Sequence, residues 1–144
     1  MITLPIDLQL AEVPVAVPEN LQYPFQDVHT AIYKLADAIC NPEAWIAATY
    51  ENSWASYGTP YGAAKYYKDI TGRVWLKGVV ASGTIGLAIF TLPAGYRPVE
   101  EEDFLQSRAS NNVISVHITA AGVVYCPTGS NVYVSLSGIN FLTK

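Results

Sequence analysis

The sequence is poor in charge. Asp, Glu, Lys and Arg make up 14% of its 144 residues, against about 25% in an ordinary soluble domain. Its net charge is −4, and its 8 basic residues form no run, so the electrostatic footprint of a nucleic-acid binder is missing. Long apolar runs are missing too. None reaches the ~18 residues that a membrane-spanning helix needs, and Met1 to Leu10 lacks the basic start and continuous apolar stretch of a signal peptide. Neither nucleic acid nor membrane is expected as a partner. Cysteine is limited to Cys40 and Cys126, too few for a disulfide framework. Two buried free thiols, in a protein assembled in a reducing cytoplasm, are the expectation.

Residues that carry chemistry are equally sparse. His29 and His117 are the two histidines. There is no Gly-x-Ser-x-Gly, no phosphate loop and no paired metal-ligand spacing. The run Glu100-Glu101-Glu102-Asp103 reads as a solvated edge. A cation site is the sharper alternative, but four adjacent acids in a strand cannot all point one way. The chain is therefore expected not to be an enzyme, with no catalytic residue, no metal and no cofactor.

What is abundant is apolar side chain, at 51%. A domain of this size with so few charges is expected to cover part of its surface with other chains. Residues 1–24 carry Pro5, Pro14, Pro18 and Pro24, a spacing that favours extended chain over helix. Ile2, Leu4, Ile6, Leu8 and Leu10 alternate with polar residues there, as in a half-buried strand, so an arm lying on a neighbour is expected. Residues 25–42 change period. Asp27 suits an N-cap and Asn41-Pro42 a stop. Between them Val28, Ile32, Leu35 and Ile39, spaced four, three and four apart, form one face of a short helix of about 13 residues, marginal alone. That face is expected either at a threefold axis between copies or on the sandwich.

Residues 43–144 read as short strands between turns. Asp69-Ile70-Thr71-Gly72 has Asp first and Gly fourth, a type I preference. Arg73 to Val80 alternates, with Val74, Leu76, Gly78 and Val80 on one face and Arg73, Trp75, Lys77 and Val79 on the other. Ile85 to Thr91 is apolar nearly throughout, as in a strand covered on both faces. Asn112 to Thr119 sets Ile114, Val116 and Ile118 against Val113, Ser115, His117 and Thr119. Seven or eight strands with regular turns predict a mainly β chain, an antiparallel β-sandwich, jelly-roll-like, preceded by the arm and the helix.

Tyr66, Lys68-Asp69, Gly72, Val74, Leu76 and Gly78, followed by Phe90, Leu92-Pro93, Gly95-Tyr96 and Arg97-Pro98, resemble a module at the distal ends of tailed-phage fibres and tailspikes. Closely similar β-sandwich modules serve as trimeric capsid decoration, or cement, proteins. The likeness runs from Trp54 to Leu142. It implies a homotrimeric virion surface protein assembled in the host cytoplasm. Upstream the sequence offers an apolar arm and a short helix rather than a shaft of heptads, collagen-like repeats or β-helix. The first expectation is therefore decoration of the capsid exterior. The arm residues Ile2, Leu4, Ile6, Leu8 and Leu10 would then anchor to the major capsid protein, and Val28, Ile32, Leu35 and Ile39 would hold the trimer. The second is a host-receptor-binding tip of a tail fibre or tailspike. Tyr57, Tyr61 and Tyr96 fall in expected loops, where binding residues concentrate, and tyrosine suits contact with a host surface glycan.

Overall fold

The computed structural model describes residues 19–108 and 112–143. The chain divides after Pro42 into two compact units. In the first, α1 spans Glu19–Cys40. It ends where Asn41 folds back on Asp37, its N–H donating to the Asp37 carbonyl at 2.7 Å and its side-chain amide to the Asp37 carboxylate at 2.6 Å. Its 22 residues exceed the expected 13, and Asp27 is internal rather than an N-cap. Pro24, expected in an extended arm, lies inside the helix. Pro24 has no N–H to donate to the carbonyl of Asn20, so the helix forfeits that one bond, while the residues after it keep theirs. The arm residues Ile2, Leu4, Ile6, Leu8 and Leu10 lie outside the described residues.

The second unit is an antiparallel β-sandwich. Its strands are β1 (Ile46–Ala47), β2 (Ala55–Ser56), β3 (Lys65–Lys68), β4 (Arg73–Lys77), β5 (Val79–Ala81), β6 (Ala88–Thr91), β7 (Glu102–Arg108), β8 (Asn112–Ile118), β9 (Val123–Tyr125), β10 (Val134–Ser135) and β11 (Asn140–Leu142). One sheet has the order β1-β3-β4-β11, the other β2-β5-β10-β7-β8-β9-β6. Leu76, Ile89, Phe90, Leu92, Leu136 and Ile139 are at most 2% exposed and lie in one core. Each contributes roughly 1.5–3 kcal/mol of burial, before ordering costs. Ile114, Val116 and Ile118 face inward on β8, as their alternation requires.

The run Arg73 to Val80 is two strands, not one. Gly78 turns the chain out of the smaller sheet and into the larger, with φ of 108°. A Cβ there would stand 2.4 Å from the Ala63 carbonyl oxygen, so both conformation and space demand glycine. The pleat restarts after this corner. Val79, expected to face outward, is buried, as are Val80 and Ala81. Cys126 is buried as expected, and burial pushes its thiol up to about 12. Cys40 is half-exposed rather than buried.

Candidate ligand-binding face

The outer face of β3 and β4 follows from alternation. Tyr66, Val74 and Leu76 point into the core, which leaves Lys65, Tyr67, Arg73, Trp75 and Lys77 outside and half-covered. Tyr67 stands opposite Trp75, and Lys65 opposite Lys77. Trp45 joins this row from the edge of β1, its ring 4.5 Å from that of Tyr67. The Lys77 ammonium lies 3.8 Å from the centroid of the Trp45 ring, a close cation–π contact.

One end of the row is a corner of the turn that begins at Asp69. Gly72 N–H donates to the Asp69 carbonyl at 3.0 Å. The Asp69 carboxylate accepts from Thr71 N–H at 2.9 Å, Thr71 Oγ1 at 2.6 Å, Arg73 N–H at 3.1 Å and the Trp75 indole N–H at 2.9 Å. The side-chain bonds from Thr71 and Trp75 lead in holding this carboxyl down to about 2.

The other end opens into a groove of about 440 Å³ at the Gly78 corner, bordered by Tyr61, Gly62, Lys65, Lys77, Gly78 and Ser137. Beside it Tyr57, Tyr61 and Tyr133 form a triangle. Their ring centroids are 5.5, 5.2 and 5.2 Å apart, all edge to face. Pairing explains the meeting. Ser56 and Val134 both pair with Val80, so Tyr57 and Tyr133, next to them, share the opposite pleat. Tyr61 is brought back by its N–H bond to the Gly58 carbonyl at 2.9 Å. Tyr57 and Tyr61 are each 44% exposed. Burial, then the neighbouring Tyr61, raises the Tyr133 hydroxyl above its ordinary range.

Two of the three tyrosines singled out from the sequence thus come together. Tyr96 is not one of the triangle. Its ring stands edge-on to Tyr66 at 5.2 Å, the Lys68 ammonium lies 5.2 Å from its centroid, and its hydroxyl donates to Glu43. That carboxylate pushes Tyr96 up to about 12. Tyr133 and Trp45 were missed because the contacts that place them join residues far apart in the chain, and Lys65 because its register on Lys77 was not drawn. The outward alternation of Trp75 and Lys77 was the one available signal.

The larger sheet carries a second polar group. Glu101 and Asp103, two apart in the acidic run, hold His117 between them, Nδ1 at 3.2 Å from Glu101 and Nε2 at 3.3 Å from Asp103. Tyr125 donates to Glu101 at 3.1 Å, and Ser115 donates to Asp103. Both imidazole nitrogens are turned to carboxylates, and no set of three or more metal-ligating side chains is arranged around a cation among the described residues. The stripe residues Val28, Ile32, Leu35 and Ile39 lie along α1, each 56–59% exposed.

No protein-family model matches the chain, and no curated protein matches it. A solved structure similar to it is the receptor binding protein (gp15) of Listeria phage PSA, at a TM-score of 0.57 and 21% identity, covering 90% of this chain and 89% of that one. The sandwich from Glu43 onward is too short to supply 90% of the chain, so the likeness extends into the first 42 residues.

Proposed function

We propose that this protein is the host-recognition module of a tailed phage's tail, a trimer that binds a cell-surface glycan and does not cleave it. The observation that carries the reading is the likeness in fold, over 90% of this chain and 89% of that one, to a phage receptor binding protein. The expectation of capsid decoration rested on the sequence offering, upstream of the sandwich, an apolar arm and a short helix rather than a shaft of heptads, collagen-like repeats or β-helix. The likeness to a receptor binding protein over 90% of this chain supports the tail reading over decoration. The tyrosine triangle, with Tyr57 and Tyr61 exposed beside a groove, supplies the aromatic faces and hydroxyls that suit contact with sugar rings. The exposed stripe of α1 supplies a seam for joining copies, and three copies fit the trimeric modules that the sequence resembles.

Three experiments test this. Antibody-gold labelling of particles is expected at the tail end; gold spread over the shell restores the decoration reading. Fluorescently labelled protein is expected to coat host cells and to lose that binding in Tyr57→Ala/Tyr61→Ala. Coating that survives this change removes the triangle from recognition. Incubation with host envelope polysaccharide is expected to release no reducing ends, and release abolished by a carboxylate substitution overturns the non-enzymatic reading.

A further inference from the structure

We infer that the groove at the Gly78 corner takes the anionic group of a charged glycan, a phosphate or a carboxylate, between the ammonium groups of Lys65 and Lys77. The inference rests on the glycan-binding reading above and adds the charge of the ligand.

The observation is a pair of cations that the fold sets against each other. Lys65 and Lys77 are directly opposite on adjacent antiparallel strands, an arrangement in which like charges repel and cost stability. The protein carries 12 acidic residues against 8 basic ones, so carboxylates to relieve the pair are plentiful. None is used: among the described residues neither ammonium has a carboxylate within 4.0 Å.

Three other sandwich cations differ. Lys68 donates to the Gly95 carbonyl at 2.9 Å, Arg73 to the Asn140 side-chain carbonyl at 2.6 Å, and Arg97 to the Leu92 carbonyl at 2.9 Å. Lys77 rests on the Trp45 ring instead, which orients it without neutralising it. Both lysines line the groove, and an anion bound there would neutralise the repulsion. Ammonium groups bind phosphate as point charges, with little demand on geometry, which suits a shallow and open site. A second depression, of about 230 Å³ beside Gly95, Arg97 and Val99, has one cation, and its Nε is already committed to Leu92.

The test titrates the full chain with inorganic phosphate, glucuronate and glucose, followed by the backbone amide resonances of Gly62 and Gly78. Phosphate or glucuronate, but not glucose, is expected to shift both amides at millimolar concentration, and added sodium chloride is expected to weaken the effect. Saturation by phosphate alone assigns a phosphodiester polymer, by glucuronate alone a uronic acid, and by both a general anion site. Lys65→Gln and Lys77→Gln are each expected to weaken binding about two- to fivefold, and the double change to abolish it. Melting temperature should hold or rise in these variants, because repulsion is relieved; a fall would mark the lysines as structural. Unmoved amides with either anion overturn the inference.

Cell binding separates this idea from the one beneath it. Loss of coating in Lys65→Gln/Lys77→Gln supports the anion site. Coating kept in that variant but lost in Tyr57→Ala/Tyr61→Ala overturns the anion site and leaves glycan recognition standing. Amide shifts with phosphate in a protein that coats no cell keep the anion site and overturn the host-recognition reading.

Discussion

Asp69 shows how much organisation one side chain carries here. Its carboxylate closes the turn before β4 and fixes the Trp75 indole on the outer face. The carboxyl is held at about 2 in the fold, below its ordinary 3.8. A group whose pKa is lower folded than unfolded stabilises the fold above the unfolded value, and that contribution fades as pH falls toward the folded one. Melting temperature followed from pH 5 to pH 2 should therefore drop, and part of the drop, between about 4 and about 2, should vanish in Asp69→Ala. The variant should also be less stable at neutral pH by about 1.5–3 kcal/mol, the scale of hydrogen bonds to a charged group. An acid profile identical to that of the parent would remove Asp69 from the account. Gly83 carries a different constraint. A Cβ on it would lie 2.0 Å from the buried Trp54 ring. Gly83→Ala is expected to lower stability toward the upper end of the ~1–3 kcal/mol cost of overpacking, read by chemical denaturation.

Among the elements, α1 makes the clearest prediction. Val28, Ile32, Leu35 and Ile39 hold a heptad-like spacing and are exposed; in the sequence Leu21 and Phe25 continue the same spacing upstream. Leu35→Asp is expected to turn a trimer into monomers in sedimentation, with the β signal in circular dichroism unchanged. A trimer that persists would show that the stripe is not the seam. The stripe was legible because helical periodicity is local. The helix running through Pro24 was not, because a proline within a helix forfeits one bond while the residues after it keep theirs. The sandwich was legible from turns and alternation, and the inward set Ile114, Val116 and Ile118 came directly from it. The split of Arg73 to Val80 was hidden because periodicity alone does not mark a strand leaving one sheet for another, and the one cue, Gly78, also fits a strand interior. Tyr57 and Tyr61 were found as loop aromatics. Tyr133 needed the register of β2 and β10 on Val80, which no local window contains.

At the scale of the molecule, the sandwich has its own core and forms a unit from Glu43 onward. A fragment of residues 43–144 is expected to unfold cooperatively and to bind inorganic phosphate as the full chain does. It should coat cells far more weakly, because a trimer presenting three faces gains avidity of roughly 10²- to 10⁴-fold over a single one. Fragment and full chain coating cells equally would mean that one face suffices, and the proposed role of α1 would fall.

On the proposed host-recognition reading, the alternation on β3 and β4 limits how specificity can change. Neighbouring residues serve opposite purposes: Tyr66 fills the core and Tyr67 faces solvent, Leu76 fills the core and Lys77 borders the groove. Inserting or deleting one residue in either strand would exchange the two sets. It would send lysine and tryptophan inward and ruin the fold together with the specificity. New specificities are therefore reachable by substitution at positions 65, 67, 75 and 77, one at a time and at constant strand length. Changes in length fall to residues 58–61, which lie between β2 and β3 and follow the last bond to β5, from Tyr57 N–H to the Val79 carbonyl.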